Sequence, residues 1–173
     1  MSSDNKEYIV FGSPQIQEDE INEVINTLQS GWLGSGPKVS KFQNDFKAYK
    51  KIENAVAVNS CTAALHLSLL ALKLNKGDEV ITTPMTFCAT INAIIHSGAK
   101  PILVDVELGT MNIDPKKIED KISNKTKAIV PVHFAGRPCN MKDIMHIANK
   151  HNLKIIEDCA HAIETEYHGK KAG

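Results

Sequence analysis

Several features that define other protein classes are missing from this 173-residue sequence. It carries no formal net charge, because 20 lysines and arginines balance 20 aspartates and glutamates. Without a basic stripe or an acidic tail, we expect no nucleic-acid partner and no solvating tail. The amino terminus is polar, and no apolar run is long enough for a signal peptide or a membrane span. The composition therefore predicts an ordinary globular domain that does not contact a membrane.

Paired cysteine motifs and glycine-rich nucleotide motifs are also missing. The four cysteines, which form no C-x-x-C pair, are Cys61, Cys88, Cys139 and Cys159. They lie in or beside apolar segments of a chain without an export signal, so we expect reduced, buried thiols and a cytoplasmic location. A Rossmann-type dinucleotide site is excluded because no G-x-G-x-x-G follows the first strand.

Hydrophobic periodicity divides the chain into two parts, 1–54 and 55–173. The first part contains two amphipathic helical patterns separated by the loop G-W-L-G-S-G-P-K at 31–38. In the second part, apolar runs at 55–58, 79–83, 101–105, 127–132 and 154–157 alternate with helical patterns at 63–72, 86–97, 115–122 and 140–151. This alternation predicts βαβ crossovers, so the fold class is α/β, with a mostly parallel sheet flanked by helices.

Polar or aromatic clusters follow four of these predicted strands. The carboxyl ends of parallel strands meet at one edge of a sheet, where open α/β sheets bind their ligands. The clusters occupy residues 59–62, 84–87, 133–136 and 158–161. We therefore expect one functional site along this edge.

Each cluster has both a structural and a functional interpretation. Ser60 and Thr62 stand where a helix begins, so they either bind an anion such as phosphate or simply cap the helix. Phe87 either stacks on a planar ring or belongs to the core. His133 either contacts a ligand or is a hydrogen-bonded histidine. Asp158 needs a partner if it is buried. It either pairs with a protonated pyridine nitrogen or caps the turn that follows it.

A phosphate-binding turn, a stacking aromatic residue and a carboxylate for a ring nitrogen together describe a site for pyridoxal 5′-phosphate (PLP). The sequence resembles the amino-terminal half of the DegT/DnrJ/EryC1/StrS family, sugar-nucleotide aminotransferases of fold type I. The motifs that carry the resemblance are S-G-W-L-G-S-G-P-K, V-N-S-C-T-A-A-L-H-L, G-D-E-V-I-T-T-P-M-T-F-C-A-T, K-A-I-V-P-V-H-F-A-G-R-P and I-I-E-D-C-A-H-A. The P-V-H-F-A-G-R-P and D-C-A-H-A motifs are most similar to the branch that aminates C4 of UDP-linked 4-keto sugars.

The resemblance implies a role for individual residues. Phe87 would stack on the pyridine ring, Asp158 would pair with its nitrogen, and His161 would lie beside the ring hydroxyl. The residues implied at the cofactor phosphate are Ser60, Thr62 and Ala63. The residues implied at the sugar-nucleotide site are Phe11, Gly31, Trp32, Leu33 and Gly34. No metal is implied, and Cys61 stands where the family usually has glycine or alanine.

The resemblance also implies an activity and a limit on it. The family transfers an amino group from glutamate to a nucleotide-linked keto sugar, as a homodimer, in the synthesis of polysaccharide or glycan precursors. Its cofactor-attaching lysine lies beyond the position of Gly173, while Lys170 and Lys171 belong to a predicted solvated turn. We therefore expect 55–173 to be an incomplete PLP-binding large domain, with the small carboxyl-terminal domain absent and residues 1–173 inactive alone.

Other functions stay open at this point. One is a non-catalytic truncated product, or a module that binds the cofactor or a partner chain. Another is a dehydratase-like variant of the same family. A third is a metal site whose ligands would come from Cys61, Cys88, His133, Cys159 and His161, although their spacing fits no compact zinc motif.

Overall fold

The computed structural model describes residues 12–173. The chain divides into two compact units, with the boundary between Ala57 and Val58. Among the described residues, every helix is too short or too polar to cross a membrane.

The first unit contains two helices, α1 (Glu18–Gln29) and α2 (Pro37–Lys50). The start of α1 is fixed by the Glu20 carboxylate, which accepts a hydrogen bond from the backbone N–H of Gln17 at 2.7 Å. Proline at the first position of α2 sets φ for the helix, and α2 ends where Lys51 turns left-handed at φ 57°. Both helices fall where the sequence predicts them.

The second unit is built on a parallel four-stranded sheet. Its strands are β1 (Glu79–Thr82), β2 (Lys100–Leu103), β3 (Thr126–Ile129) and β4 (Lys154–Ile155), arranged in the order β2-β1-β3-β4. A separate antiparallel hairpin pairs β5 (Glu166–Tyr167) with β6 (Lys170–Lys171). The parallel sheet confirms the predicted α/β class.

Helices cover both faces of this sheet, as its alternating pattern requires. They are α3 (Cys61–Ala71), α4 (Cys88–His96) and α5 (Met141–Lys150). Val80 joins the buried cluster that includes residues of α3 and α4, whereas its neighbour Ile81 joins the cluster that includes α5. Both side chains are fully buried, and burial of an aliphatic side chain of this size contributes about 1.5–3 kcal/mol.

Two predicted elements are wrong. The segment predicted as a helix at 115–122 forms two short 3₁₀ turns, Pro115–Lys117 and Glu119–Lys121. Only Pro115 and Ile118 of this segment are buried, so it lacks the extended apolar face that would pack a full helix against the core. The run at 55–58 pairs with none of the described strands. Val56 is 80% exposed there, and the Ala57 amide donates to the Gln43 side chain at 2.9 Å instead of to a sheet.

Candidate functional site

A small pocket lies at the predicted edge of the sheet. Its lining residues are Thr86, Phe87, Val132, His133, Phe134, Asp158, Ala160 and His161. Three of the four predicted clusters therefore converge, and the fourth reaches the same place because Cys61 Sγ lies 3.9 Å from Asp158 Oδ1. The enclosed volume is only about 50 Å³, so a ligand larger than a small ring must extend out through the open side.

Asp158 is the buried centre of this pocket, with 4% of its surface exposed. Its Oδ2 accepts a hydrogen bond from Thr90 Oγ1 at 2.7 Å, and its Oδ1 accepts one from the Ala160 amide at 3.1 Å. Its backbone is hydrogen-bonded to the segment that follows β3. The His133 amide donates to Asp158 O at 3.2 Å, and the Asp158 amide donates to Pro131 O at 2.9 Å. Asp158 thus caps its own turn and still presents its side chain to the pocket.

The start of α3 combines a helix cap with unused hydrogen-bond donors. Ser60 is the N-cap residue, and its Oγ accepts the Ala63 amide at 3.1 Å, so the capping interpretation is confirmed. The amides of Cys61 and Thr62 donate to none of the residues in 12–173. Together with the exposed hydroxyls of Ser60 and Thr62, these amides at the positive end of the helix suit an anion such as phosphate.

Phe87 and His161 line the pocket from the solvent side. Phe87 is the N-cap residue of α4 and is 76% exposed, so the interpretation of this ring as a core aromatic is wrong. His161 is exposed as well. An exposed aromatic face next to a buried carboxylate suits a planar, partly cationic ligand.

His133, Glu157 and Cys159 form a cluster whose potential ligand atoms lie within 4.8 Å of one another. The Cys139 amide donates to His133 Nδ1 at 3.0 Å, so the single proton of the neutral ring is on Nε2, which donates to Glu157 Oε2 at 2.8 Å. A metal ion at Nε2 would require that proton to move to Nδ1, against the Cys139 N–H. This arrangement fits a hydrogen-bonded structural histidine better than a metal ligand.

The four cysteines are free thiols, but they are not all buried as predicted. Cys139 is buried, and burial, followed by the charges of Glu157 and Cys159, raises its pKa to about 12. Cys61 is exposed, yet partial desolvation and the neighbouring Asp158 carboxylate raise the pKa of its thiol. Cys88 is exposed because it begins α4 at the edge of the sheet, so the prediction is wrong for both Cys61 and Cys88.

The predicted substrate loop belongs to the first unit. Trp32 Nε1 donates to Ser35 O at 2.9 Å, which folds the indole back over the loop and still leaves it 58% exposed. A Cβ atom at Gly36 would lie 2.0 Å from that indole nitrogen, so only glycine permits this packing. Leu33 is exposed, and Phe11 lies outside the described residues. A role for this loop at a substrate stays a prediction.

Thr90 is a part of the site that the sequence did not predict, and Thr86, which lies within the predicted cluster 84–87, had no predicted role of its own. Thr90 is buried against Asp158, and Thr86 Oγ1 lies 2.7 Å from Thr90 Oγ1. The available signal was a pair of hydroxyl residues four positions apart across a helix start, in a segment that is otherwise largely apolar.

The sequence of residues 14–173 matches the model of the DegT/DnrJ/EryC1/StrS aminotransferase family. The chain belongs to this family. An uncharacterised protein of Methanocaldococcus jannaschii is 54% identical over 160 residues, which are 92% of this chain and 42% of that protein. The spore coat polysaccharide biosynthesis protein SpsC of Bacillus subtilis is 49% identical over 166 residues, which are 96% of this chain and 43% of that protein.

A solved structure of NtdA from Bacillus subtilis, with bound cofactor PMP (pyridoxamine 5′-phosphate), gives a TM-score of 0.84 at 42% identity. The match covers 91% of this chain and 37% of NtdA. It confirms the predicted fold, the large-domain part of a fold-type I PLP enzyme. This member of the aminotransferase family thus spans less than half the length of the relatives described above.

PLP is the cofactor of this family, and the donors of the pocket fit it. The cofactor offers a phosphate, a planar ring and a ring nitrogen. The chain offers the α3 start with Ser60 and Thr62, the exposed face of Phe87 and the buried carboxylate of Asp158. When bound, PLP acts as an electron sink, and a fixed carboxylate at its nitrogen keeps the ring protonated for that purpose.

Proposed function

We propose that this chain forms the cofactor-binding part of an aminotransferase that moves an amino group from glutamate to a nucleotide-linked keto sugar. The observation that carries the proposal is the buried, doubly hydrogen-bonded Asp158, which lines one pocket with the exposed ring of Phe87. Similarity to SpsC supports a place in polysaccharide synthesis. The D-C-A-H-A sequence at 158–162 favours a UDP-linked 4-keto sugar as the acceptor.

Five residues in and beside the pocket have a proposed task. Asp158 binds the ring nitrogen, Phe87 stacks on the ring, and His161 lies beside the ring hydroxyl. Ser60 and Thr62 bind the phosphate with their hydroxyls and the free amides at the start of α3.

Two further assignments complete the set of proposed contacts. Ala63 contributes a small side chain beside the phosphate rather than its amide, because that amide is bound to Ser60. The loop residues Gly31, Trp32, Leu33 and Gly34, together with Phe11, contribute to the sugar-nucleotide site.

We also propose that residues 1–173 bind the cofactor without turning it over. Lys171 Nζ lies 3.0 Å from a Glu166 carboxylate oxygen and 3.6 Å from one of Glu164, and Lys170 is exposed in the hairpin. Neither lysine lines the pocket around Asp158. A division at residues 54 and 55, a homodimer and a cytoplasmic location complete the proposal, the last supported by the four free thiols.

Cofactor binding tests the site. PMP should be titrated into the purified protein by calorimetry, because PMP carries the ring and phosphate but needs no attaching lysine. Asp158→Asn should weaken PMP binding by about 10- to 100-fold, since it removes a charge-assisted hydrogen bond. Asp105→Asn is the matched control, because Asp105 is exposed and pairs with Lys117. No PMP binding by the unsubstituted protein, or equal binding by Asp158→Asn, would contradict the proposed site.

Product analysis tests the reaction. The protein purified from its native cells, supplied with PLP, glutamate and a UDP-linked 4-keto sugar, should yield an amino sugar and 2-oxoglutarate by mass spectrometry. Residues 1–173 expressed alone should yield neither product. Failure of the native protein would contradict the reaction, and turnover by residues 1–173 would contradict the proposal that these residues bind the cofactor without turning it over.

A further inference from the structure

Two threonine hydroxyls form an ordered chain that ends on Asp158. Thr90 is 1% exposed, and its Oγ1 donates to Asp158 Oδ2 at 2.7 Å. Thr86 Oγ1 lies 2.7 Å from Thr90 Oγ1. A hydroxyl has one proton to donate, and that of Thr90 is already used, so Thr86 must be the donor to Thr90. The direction of both bonds is therefore fixed, from Thr86 through Thr90 to the carboxylate.

The first turn of α4 places these hydroxyls. Phe87 caps the helix, and the Thr90 amide donates to Phe87 O at 3.2 Å. The same turn therefore presents the Phe87 ring to the pocket and directs Thr90 toward Asp158 from within the protein. Because threonine is β-branched, its side chain has few rotamers available in a helix, which favours a stable hydroxyl position.

The two strong hydrogen bonds at Asp158 fall on different oxygens. Thr90 binds Oδ2, whereas the Ala160 amide binds Oδ1 at 3.1 Å. Two donors on opposite oxygens resist rotation of the carboxylate about its Cβ–Cγ bond. The Cys61 thiol, 3.9 Å from Oδ1, is too weak and distant a donor to replace Thr90. Oδ2, which accepts only the Thr90 hydroxyl among the described residues, retains a lone pair for a further partner.

We propose that Thr90 is a positioning residue, which holds the Asp158 carboxylate in the plane that meets the pyridine nitrogen of the cofactor. This inference rests on the proposed function. Thr90 does not itself contact the ring; it acts through Asp158, and Thr86 supports it through the second hydrogen bond. Loss of the Thr90 hydroxyl would leave Oδ2 without its donor and the carboxylate free to turn.

The test compares two ligands that differ only at the ring nitrogen: PMP and its 1-deaza analogue, in which C–H replaces that nitrogen. Thr90→Val removes the hydroxyl and nearly conserves the volume, whereas Thr90→Ser retains the hydroxyl. Thr82→Val is the matched control, because Thr82 is also buried and donates to Val130 O at 2.9 Å, away from the carboxylate. Binding is measured by calorimetry, and folding of each variant by thermal unfolding.

Thr90→Val should weaken PMP binding about tenfold, or about 1.4 kcal/mol, and leave binding of the deaza analogue unchanged. Thr90→Ser and Thr82→Val should both stay within about twofold of the unsubstituted protein for both ligands. Equal losses for both ligands, or no loss for either, would overturn the inference while leaving the proposed function intact. If the unsubstituted protein bound neither ligand, the proposed function would fail and the inference with it.

A second variant keeps the inference testable if Thr90→Val does not fold. Thr86→Val removes only the donor to Thr90 Oγ1, at a half-buried position on the pocket wall. It should weaken PMP binding by about twofold to threefold without affecting the deaza analogue. A loss that is the same for both ligands would contradict the role of the hydroxyl chain.

Discussion

The His133 ring donates its Nε2 proton to Glu157 Oε2 across 2.8 Å. His133 follows the strand end of β3, and Glu157 immediately precedes Asp158. The same Glu157 oxygen accepts the Gly173 amide at 3.2 Å, and His133 Nδ1 accepts the Cys139 amide at 3.0 Å. The pair therefore joins four parts of the chain beside the proposed cofactor site.

Removing the acceptor of this pair should destabilise the protein. Glu157→Ala leaves the buried His133 N–H without a partner, so the free energy of unfolding should fall by about 1–3 kcal/mol. Glu157→Gln keeps an acceptor oxygen and should lose less than half as much. Urea unfolding followed by circular dichroism measures both. Equal stability of the alanine variant and the unsubstituted protein would show that the hydrogen bond between His133 and Glu157 does not stabilise the fold.

The loop at 31–38 depends on one glycine. Gly36→Ala places a Cβ atom where the Trp32 indole lies, so the indole must leave its bond to Ser35 O. We expect the emission maximum of Trp32, and its quenching by a solute such as acrylamide, to differ from those of the unsubstituted protein. Gly34→Ala is the matched control, since its Cβ would meet nothing within 4 Å. Identical spectra for the two variants would contradict the packing described for Trp32.

Capping and anion binding by Ser60 can be separated. Ser60→Asp preserves the cap of α3, so stability should change by less than about 0.5 kcal/mol, but its negative charge should repel the cofactor phosphate. Ser60→Asn preserves the cap without the charge and is the control. We expect PMP binding to weaken more than tenfold in the aspartate variant and much less in the asparagine variant. If both variants bound PMP equally well, the phosphate would lie elsewhere.

The cysteine thiols should differ in their reactivity toward alkylating reagents, and the raised pKa of Cys139 should make the stability of the fold depend on pH. The ordinary cysteine pKa is 9.0, and that of Cys139 is raised to about 12, so at pH 9 only about a thousandth of the folded Cys139 is thiolate. Between these two values the folded state holds a proton that the unfolded state releases, so this group makes folding less favourable as pH rises from 9 to 12.

Alkylation by iodoacetamide followed by mass spectrometry checks this order. The exposed Cys88 should be labelled in the folded protein, Cys61 more slowly because its pKa is raised, and Cys139 only after unfolding. Labelling of Cys139 at the same rate in the folded protein and in urea would contradict the burial described for it.

The sequence predicted most of the secondary structure that depends on local hydrophobic pattern. The positions of β1 to β4 and of α3 to α5 follow from apolar periodicity, unlike the helix predicted at 115–122, and the convergence of 84–87, 133–136 and 158–161 follows from parallel topology. Val56 shows the limit of this reasoning, because an apolar run becomes a strand only where a neighbouring strand supplies hydrogen bonds.

The hydrogen bonds within the site were not predictable in the same way. Thr90 and Asp158 are 68 positions apart, and their contact depends on how α4 packs over the sheet. The tautomer of His133 depends on the Cys139 amide, which the turn at Phe134–Gly136, where Ala135 is left-handed at φ 49°, brings back toward the ring. Neither relationship leaves a period or a spacing in the sequence.

The most direct test of the proposed cofactor site is a crystal structure of the protein with PMP bound. We predict that the pyridine nitrogen lies about 2.7–2.9 Å from an Asp158 carboxylate oxygen, the length of a charge-assisted hydrogen bond. We also predict that the ring covers Phe87 and that the phosphate lies at Ser60. A cofactor bound elsewhere, or one whose ring nitrogen faces away from Asp158, would contradict the proposed site.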